Sequence, residues 1–132
     1  MRKLLMLILF FTSILNVGCI WKDIEIVYEG ERRQLNEVAM IRGVYFAHDT
    51  WPDNIDGRET RSAKWYEFPA GEHIVEWTHQ LGDHKNSHGK LKFKANAGHV
   101  YALKGDSAGD CSIYDITNTT LGNEALNLRK KK

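Results

Sequence analysis

Three histidines fall within one short stretch, His79, His84 and His88, and imidazoles this close are how a transition-metal site often begins. The spacing of His84 and His88 would put two ligands on one face of a helix. Here the neighbours are Gly82, Asp83, Asn86, Ser87 and Gly89, which are turn and loop formers, and Asp83 is the one adjacent carboxylate. The expectation is an exposed hairpin loop, with ligand or metal binding through His79, His84 and His88 as the alternative. Cys111 and His99 are the types for a thiol nucleophile and its base. No helix N-terminus or cation marks Cys111 as activated, so a free, buried core thiol is expected. Asp53 and Asp56 lie among turn residues, where carboxylates cap turns more often than they move protons. No nucleophile, base and orienting group can be assembled, so no catalytic residue and no cofactor is expected.

The aromatic residues carry more information. Trp51, Trp65 and Tyr66 sit in or beside a polar stretch, and exposed rings stack on sugar faces or anchor protein interfaces. Those three are the candidate partner-binding residues, with Trp51, just before Pro52, the best placed to be exposed. Trp77 lies in a clean strand pattern and belongs to the core.

These residues must be positioned by strands. Ile24, Ile26 and Tyr28 alternate with Glu25, Val27 and Glu29, the period-two pattern of a strand with one buried face. Further strands are expected over Val38–Phe46, Lys64–Phe68, His73–Leu81, His99–Lys104 and Cys111–Thr117. In the clearest alternation, Leu91, Phe93 and Ala95 face inward between Lys90, Lys92 and Lys94. Ala47–Lys64 reads as one long polar loop with a tight Asp56-Gly57 turn, and Gly82–Gly89 as a hairpin loop. Nothing before Leu121 has helical period. The end of the chain, with Arg129, Lys130, Lys131 and Lys132, is expected to be a solvated basic tail, with at most a turn of helix. The fold class is therefore all-β: a single small β-sandwich of six to seven mostly antiparallel strands.

The chain has 132 residues, enough for one domain. Its first residues, MRKLLMLILFFTSILNVGC, put Arg2 and Lys3 before an apolar run from Leu4 to Phe11, then break the apolarity with Thr12, Ser13 and Asn16. That is the layout of a cleavable signal peptide over residues 1–18 and is short for a membrane span. With Arg2 and Lys3 set aside, 16 basic residues face 17 acidic ones; without the last four residues as well, 12 face 17. A mildly acidic body argues against nucleic acid as a partner, because phosphate binding needs a basic face.

The run of leucines followed by Gly18 and Cys19 resembles the lipobox of bacterial lipoproteins, although Asn16 stands where that family usually carries an aliphatic residue. The resemblance implies cleavage before Cys19, a diacylglyceryl group on its thiol and often an acylated amino group, so that the membrane is a partner through Cys19. Two or more chains anchor a protein stably where one does not. With Ile20 after the cysteine, the same resemblance favours the periplasmic face of the outer membrane over the inner membrane. A second resemblance covers residues 37–117. Ile55-Asp56-Gly57, FPAGEHIVEW (Phe68–Trp77) and ANAGHVYAL (Ala95–Leu103) resemble the turn motifs of PEGA-type β-sandwich domains of bacterial envelopes. In physical terms, Pro69 fixes φ, Gly71 reverses the chain, and His73 opens a strand where its ring can bond back to the turn. The resemblance implies a binding or scaffold module with no catalytic residues. The organisation expected is a leader (1–18), a lipid-bearing N-terminal strand and connection (19–36), a β-sandwich (37–120) and a basic tail (121–132). The function expected is a non-enzymatic, membrane-anchored interaction module whose partner is an envelope protein or a glycan.

Overall fold

The computed structural model describes residues 22–43, 50–82 and 85–131. The expected leader, Cys19, His84, the segment 44–49 and Lys132 lie outside the described residues. Nine strands are present among them: β1 (Lys22–Ile26), β2 (Val38–Arg42), β3 (Thr50–Ile55), β4 (Arg58–Glu59), β5 (Ala63–Pro69), β6 (Gly71–Gln80), β7 (Asn86–Ala95), β8 (Val100–Gly105) and β9 (Cys111–Asp115). One α-helix follows, α1 (Thr120–Lys130). The strands form two sheets, one in the order β1-β5-β2-β8-β9 and the other β4-β3-β6-β7. The smaller sheet is antiparallel throughout, whereas the larger is mixed, with β1 parallel to β5 and β2 parallel to β8.

The sheets share one core. Ala39, Ile41, Tyr66, Phe68, Tyr101 and Leu103 of the larger sheet join Ile55, Val75 and Trp77 of the smaller in a single buried cluster. A second cluster lies on the other side of the larger sheet, where Met40, Trp65 and Val100 pack against Ala125, with Leu121, Leu126 and Leu128 around them. Its central strand β2 is thus buried on both faces, and its first four residues are all buried. That explains why β2 reads as a continuous apolar run while β7, open on one side, alternates strictly.

Four expectations change. Among the described residues nine strands stand where six to seven were expected, because the polar stretch before β5 adds two. The stretch Ala47–Lys64 is not one loop: it contains β3 and β4, joined by the Asp56-Gly57 turn with φ of +53° and +81°, the two positive values a tight hairpin turn needs. The hairpin loop over Gly82–Gly89 is shorter, because β7 pairs with β6 from Asn86 onward. Polar side chains do not stop a ladder that the backbone can continue. The expected tail is an eleven-residue helix, capped by the Thr119 hydroxyl accepting from Gly122 N–H at 3.1 Å. Arg129 is not solvated, since its side chain is only 11% exposed.

The turn at Pro69–Gly71 has a specific lock. His73 Nε2 lies 2.5 Å from the Pro69 carbonyl oxygen, and its Nδ1 faces the Asp56 carboxylate, which also accepts the Ile74 N–H at 2.8 Å. Gly71 has φ of +127°, the left-handed side where a side chain would be strained.

Candidate functional site

The densest polar arrangement on the smaller sheet is built by an irregularity in β3. Pro52 has no N–H for a ladder and sits opposite Trp77; between Pro52 and Asn54 the register with β6 shifts, which leaves Asp53 as the extra residue of a bulge. The bulge aims the Asp53 carboxylate back along the sheet. One oxygen accepts the Trp51 indole N–H at 2.9 Å, and the other accepts the Thr78 hydroxyl. The Thr78 oxygen is also 2.9 Å from His88 Nδ1. A hydroxyl has one proton to give; once it goes to Asp53, the Thr78 oxygen can only accept from His88 Nδ1. Thr60 ties the other side, its N–H to the Asp53 carbonyl at 3.0 Å and its hydroxyl to the Pro52 carbonyl at 2.5 Å.

A cleft of about 300 Å³ opens beside this cluster. Trp51, Pro52 and Asp53 form one wall, Glu59 to Ser62 the other, and Tyr66 contributes to the lining. The Tyr66 hydroxyl donates to the Arg61 carbonyl at 2.7 Å, and the Arg61 N–H to a Glu25 carboxylate oxygen at 2.7 Å. An indole, a guanidinium, carboxylates and hydroxyls therefore line one opening, a mixture suited to a polar ligand with a flat apolar face. On the far side of Asp53 a shallower depression is bounded by Glu76, Trp77, His88 and Lys90.

A second polar cluster is buried rather than open. Glu67 has a fully buried side chain on the helix side of the larger sheet. Its carboxylate accepts from the Tyr28 hydroxyl at 2.6 Å, from Arg32 at 3.3 Å and from Arg129 of α1. Arg129 also donates to the Arg33 carbonyl. Burial pushes the Tyr28 hydroxyl above its ordinary pKa, with the bond to Glu67 acting in the same sense.

The candidate residues are thereby distributed. Trp51 is half-buried at the rim of the cleft, and Tyr66 lies deep in it at 2% exposure. Trp65 is not available to a partner: it is 4% exposed, packed in the cluster under α1, with the Arg42 guanidinium 5.3 Å from its ring centroid. Trp77 is in the core between the sheets. Of the hairpin histidines, His79 and His88 do not converge. His79 pairs with Ser87 and Thr78 with His88, so His79 and His88 project from opposite faces. His79 is fully buried between the Thr50 hydroxyl (2.9 Å) and the Asp106 carbonyl (2.8 Å). Among the described residues no group of three or more His, Cys, Asp or Glu is placed to hold a metal ion.

Cys111 and His99 sit toward opposite ends of the β8–β9 hairpin; His99 Nδ1 is 2.6 Å from Asp115, and Cys111 is opposite Gly105. Cys111 is a buried free thiol, pushed up to about 12 by burial and by the nearby Asp106 and Asp110 carboxylates. It is the reverse of an activated nucleophile.

Comparisons with protein-family models, with curated proteins and with solved structures return no match. Among the described residues no helix is long and apolar enough to cross a membrane. Sequence reasoning names Trp51 as a candidate but does not point to Thr78 and Thr60, whose contacts depend on a register and a bulge that composition does not encode.

Proposed function

We propose that this chain is a non-enzymatic lipoprotein of the bacterial envelope, held by lipid on Cys19, whose two sheets act as a β-sandwich related to PEGA-type modules. Its task is to hold a partner, an envelope protein or a glycan, at the Trp51 cleft on the periplasmic face of the outer membrane. The observation that carries this reading is the fixed indole: Trp51 keeps its ring at the cleft rim while its N–H is committed to Asp53 at 2.9 Å. A ring whose polar edge is already satisfied offers its apolar face at little further entropic cost. Asp53 supports binding rather than turnover, because both its oxygens are engaged by protein donors.

The test combines mass spectrometry of the mature N-terminus with crosslinking of the full chain in intact cells. A diacylated Cys19 as the first residue is expected. Trp51→Ala is expected to lower the yield of the dominant crosslinked or glycan-bound species about tenfold while leaving the thermal midpoint near its original value. Unchanged capture by a folded Trp51→Ala protein counts against the cleft, and a product that still begins at Met1 counts against the anchor.

A further inference from the structure

We propose that the edge of the domain formed by β1 and β4 lies against anionic phospholipid headgroups. The inference rests on the lipid anchor at Cys19 and goes beyond it, since an anchor alone does not say which side of a domain touches the bilayer. Cys19 and Lys22, the first residue of β1, are separated by Ile20 and Trp21, so their Cα atoms can be at most about 11 Å apart. A domain of this length has a radius of gyration of about 13 Å. The tether is shorter than the body it holds, and only surfaces close to Lys22 can reach the headgroups.

Those surfaces carry the right chemistry. Lys22 lies beside Ala63 at the start of β5, and a cleft of about 380 Å³ runs between β1 and β4. Lys22, Arg58 and Arg61 line it together with Glu25 and Glu59. Glu25 accepts the Arg61 backbone N–H, so three cations stand against two carboxylates, an excess of one positive charge, with the Glu25 carboxylate turned to the backbone of Arg61. Guanidinium groups match phosphate oxygens in two-point geometry, and an anionic leaflet draws basic side chains within a Debye length. Ile26, at the other end of β1, is 38% exposed. Trp21 is an indole, a residue type enriched at membrane interfaces.

The rival surface is the lysine face of β7, the opposite edge of the smaller sheet. Lys90 and Lys92 there are paired with Glu76 at 2.8 Å and Glu72 at 3.6 Å. Three strand spacings, about 14 Å, separate β7 from β4. The Trp51 cleft shares Glu59 and Arg61 with the β1–β4 cleft and so opens at headgroup level. Its partner is then met at the bilayer surface.

The experiment follows amide hydrogen exchange of the mature, lipidated full chain on vesicles of phosphatidylethanolamine and phosphatidylglycerol, against the same protein in neutral detergent micelles. Exchange over 22–26 and 57–62 is expected to slow at least threefold on the vesicles, with 86–95 unchanged. The double variant Arg58→Glu/Arg61→Glu, or 1 M salt, is expected to abolish that protection while the protein still floats with the vesicles. Equal exchange in both settings, or protection over 86–95 instead, overturns the proposal. Protein that fails to float refutes the anchor, whereas floating protein with an unprotected β1–β4 edge refutes only the orientation.

Discussion

The outer faces of the two sheets are finished in opposite ways. On the larger sheet, Met40, Trp65 and Val100 are roofed by α1, and the carboxylate buried beneath that roof, Glu67, is matched by Arg32, Arg129 and Tyr28. On the smaller sheet no described element covers the outer face: Ile74 is 47% exposed, Lys90 and Lys92 pair with glutamates in solvent, and Asp53 holds Trp51 and Thr78 at the rim. Charge under the roof is structural, and charge on the open face leaves side chains presented to solvent. The same residue type thus does different work according to whether water can replace its partner.

The largest test of that contrast is Glu67. Glu67→Ala strands two arginines and is expected to cost about 3–5 kcal/mol, measured by urea denaturation. Replacing Glu67 and Arg129 together by leucine is expected to recover much of that loss, because the desolvation of both charges disappears with them. An equal loss in the single and double variants would show that packing of α1, and not the charge pair, sets the stability of the covered face. On the open face the intermediate case is Thr78→Val, which removes the hydroxyl between Asp53 and His88. A cost of about 1–2 kcal/mol is expected, together with a change in Trp51 fluorescence as Asp53 is released. The smallest effect belongs to Lys92→Ala: its partner Glu72 is as exposed as it is, so the denaturation midpoint is expected not to move. A clear shift there would erase the distinction between the two faces.

The strands with one wet face are legible in the sequence. Lys90 to Ala95 and His73 to Gln80 announce themselves because alternation is a local signal, and the Asp56-Gly57, Pro69–Gly71 and Ala97-Gly98 turns stand where their residue types demand. β3 is not legible, because Pro52, Asp53 and Asn54 are poor strand residues that serve here as a bulge. Glu67 looks like any outward strand residue between Tyr66 and Phe68; only a helix that arrives 62 positions later makes it a buried one. Helix α1 itself was hidden behind its basic end, although Leu121, Ala125 and Leu128 carry the helical spacing. At the site, Trp51 was visible as an aromatic beside a proline, while its hydrogen bond to Asp53 and the separation of His79 from His88 depend on cross-strand register.

The latch between α1 and the larger sheet makes synthesis as far as Arg129 a condition for sealing the covered face. Arg129 reaches back to Glu67 and to the Arg33 carbonyl, 96 positions upstream, so the last turn of α1 supplies a second cation, beside Arg32, for a glutamate made long before it. A nascent chain that stops short of Arg129 carries an acid sealed beneath an unfinished surface. Such truncated products are expected to open readily and be cleared by proteases, so that the emergence of Arg129 acts as a quality gate for the covered face.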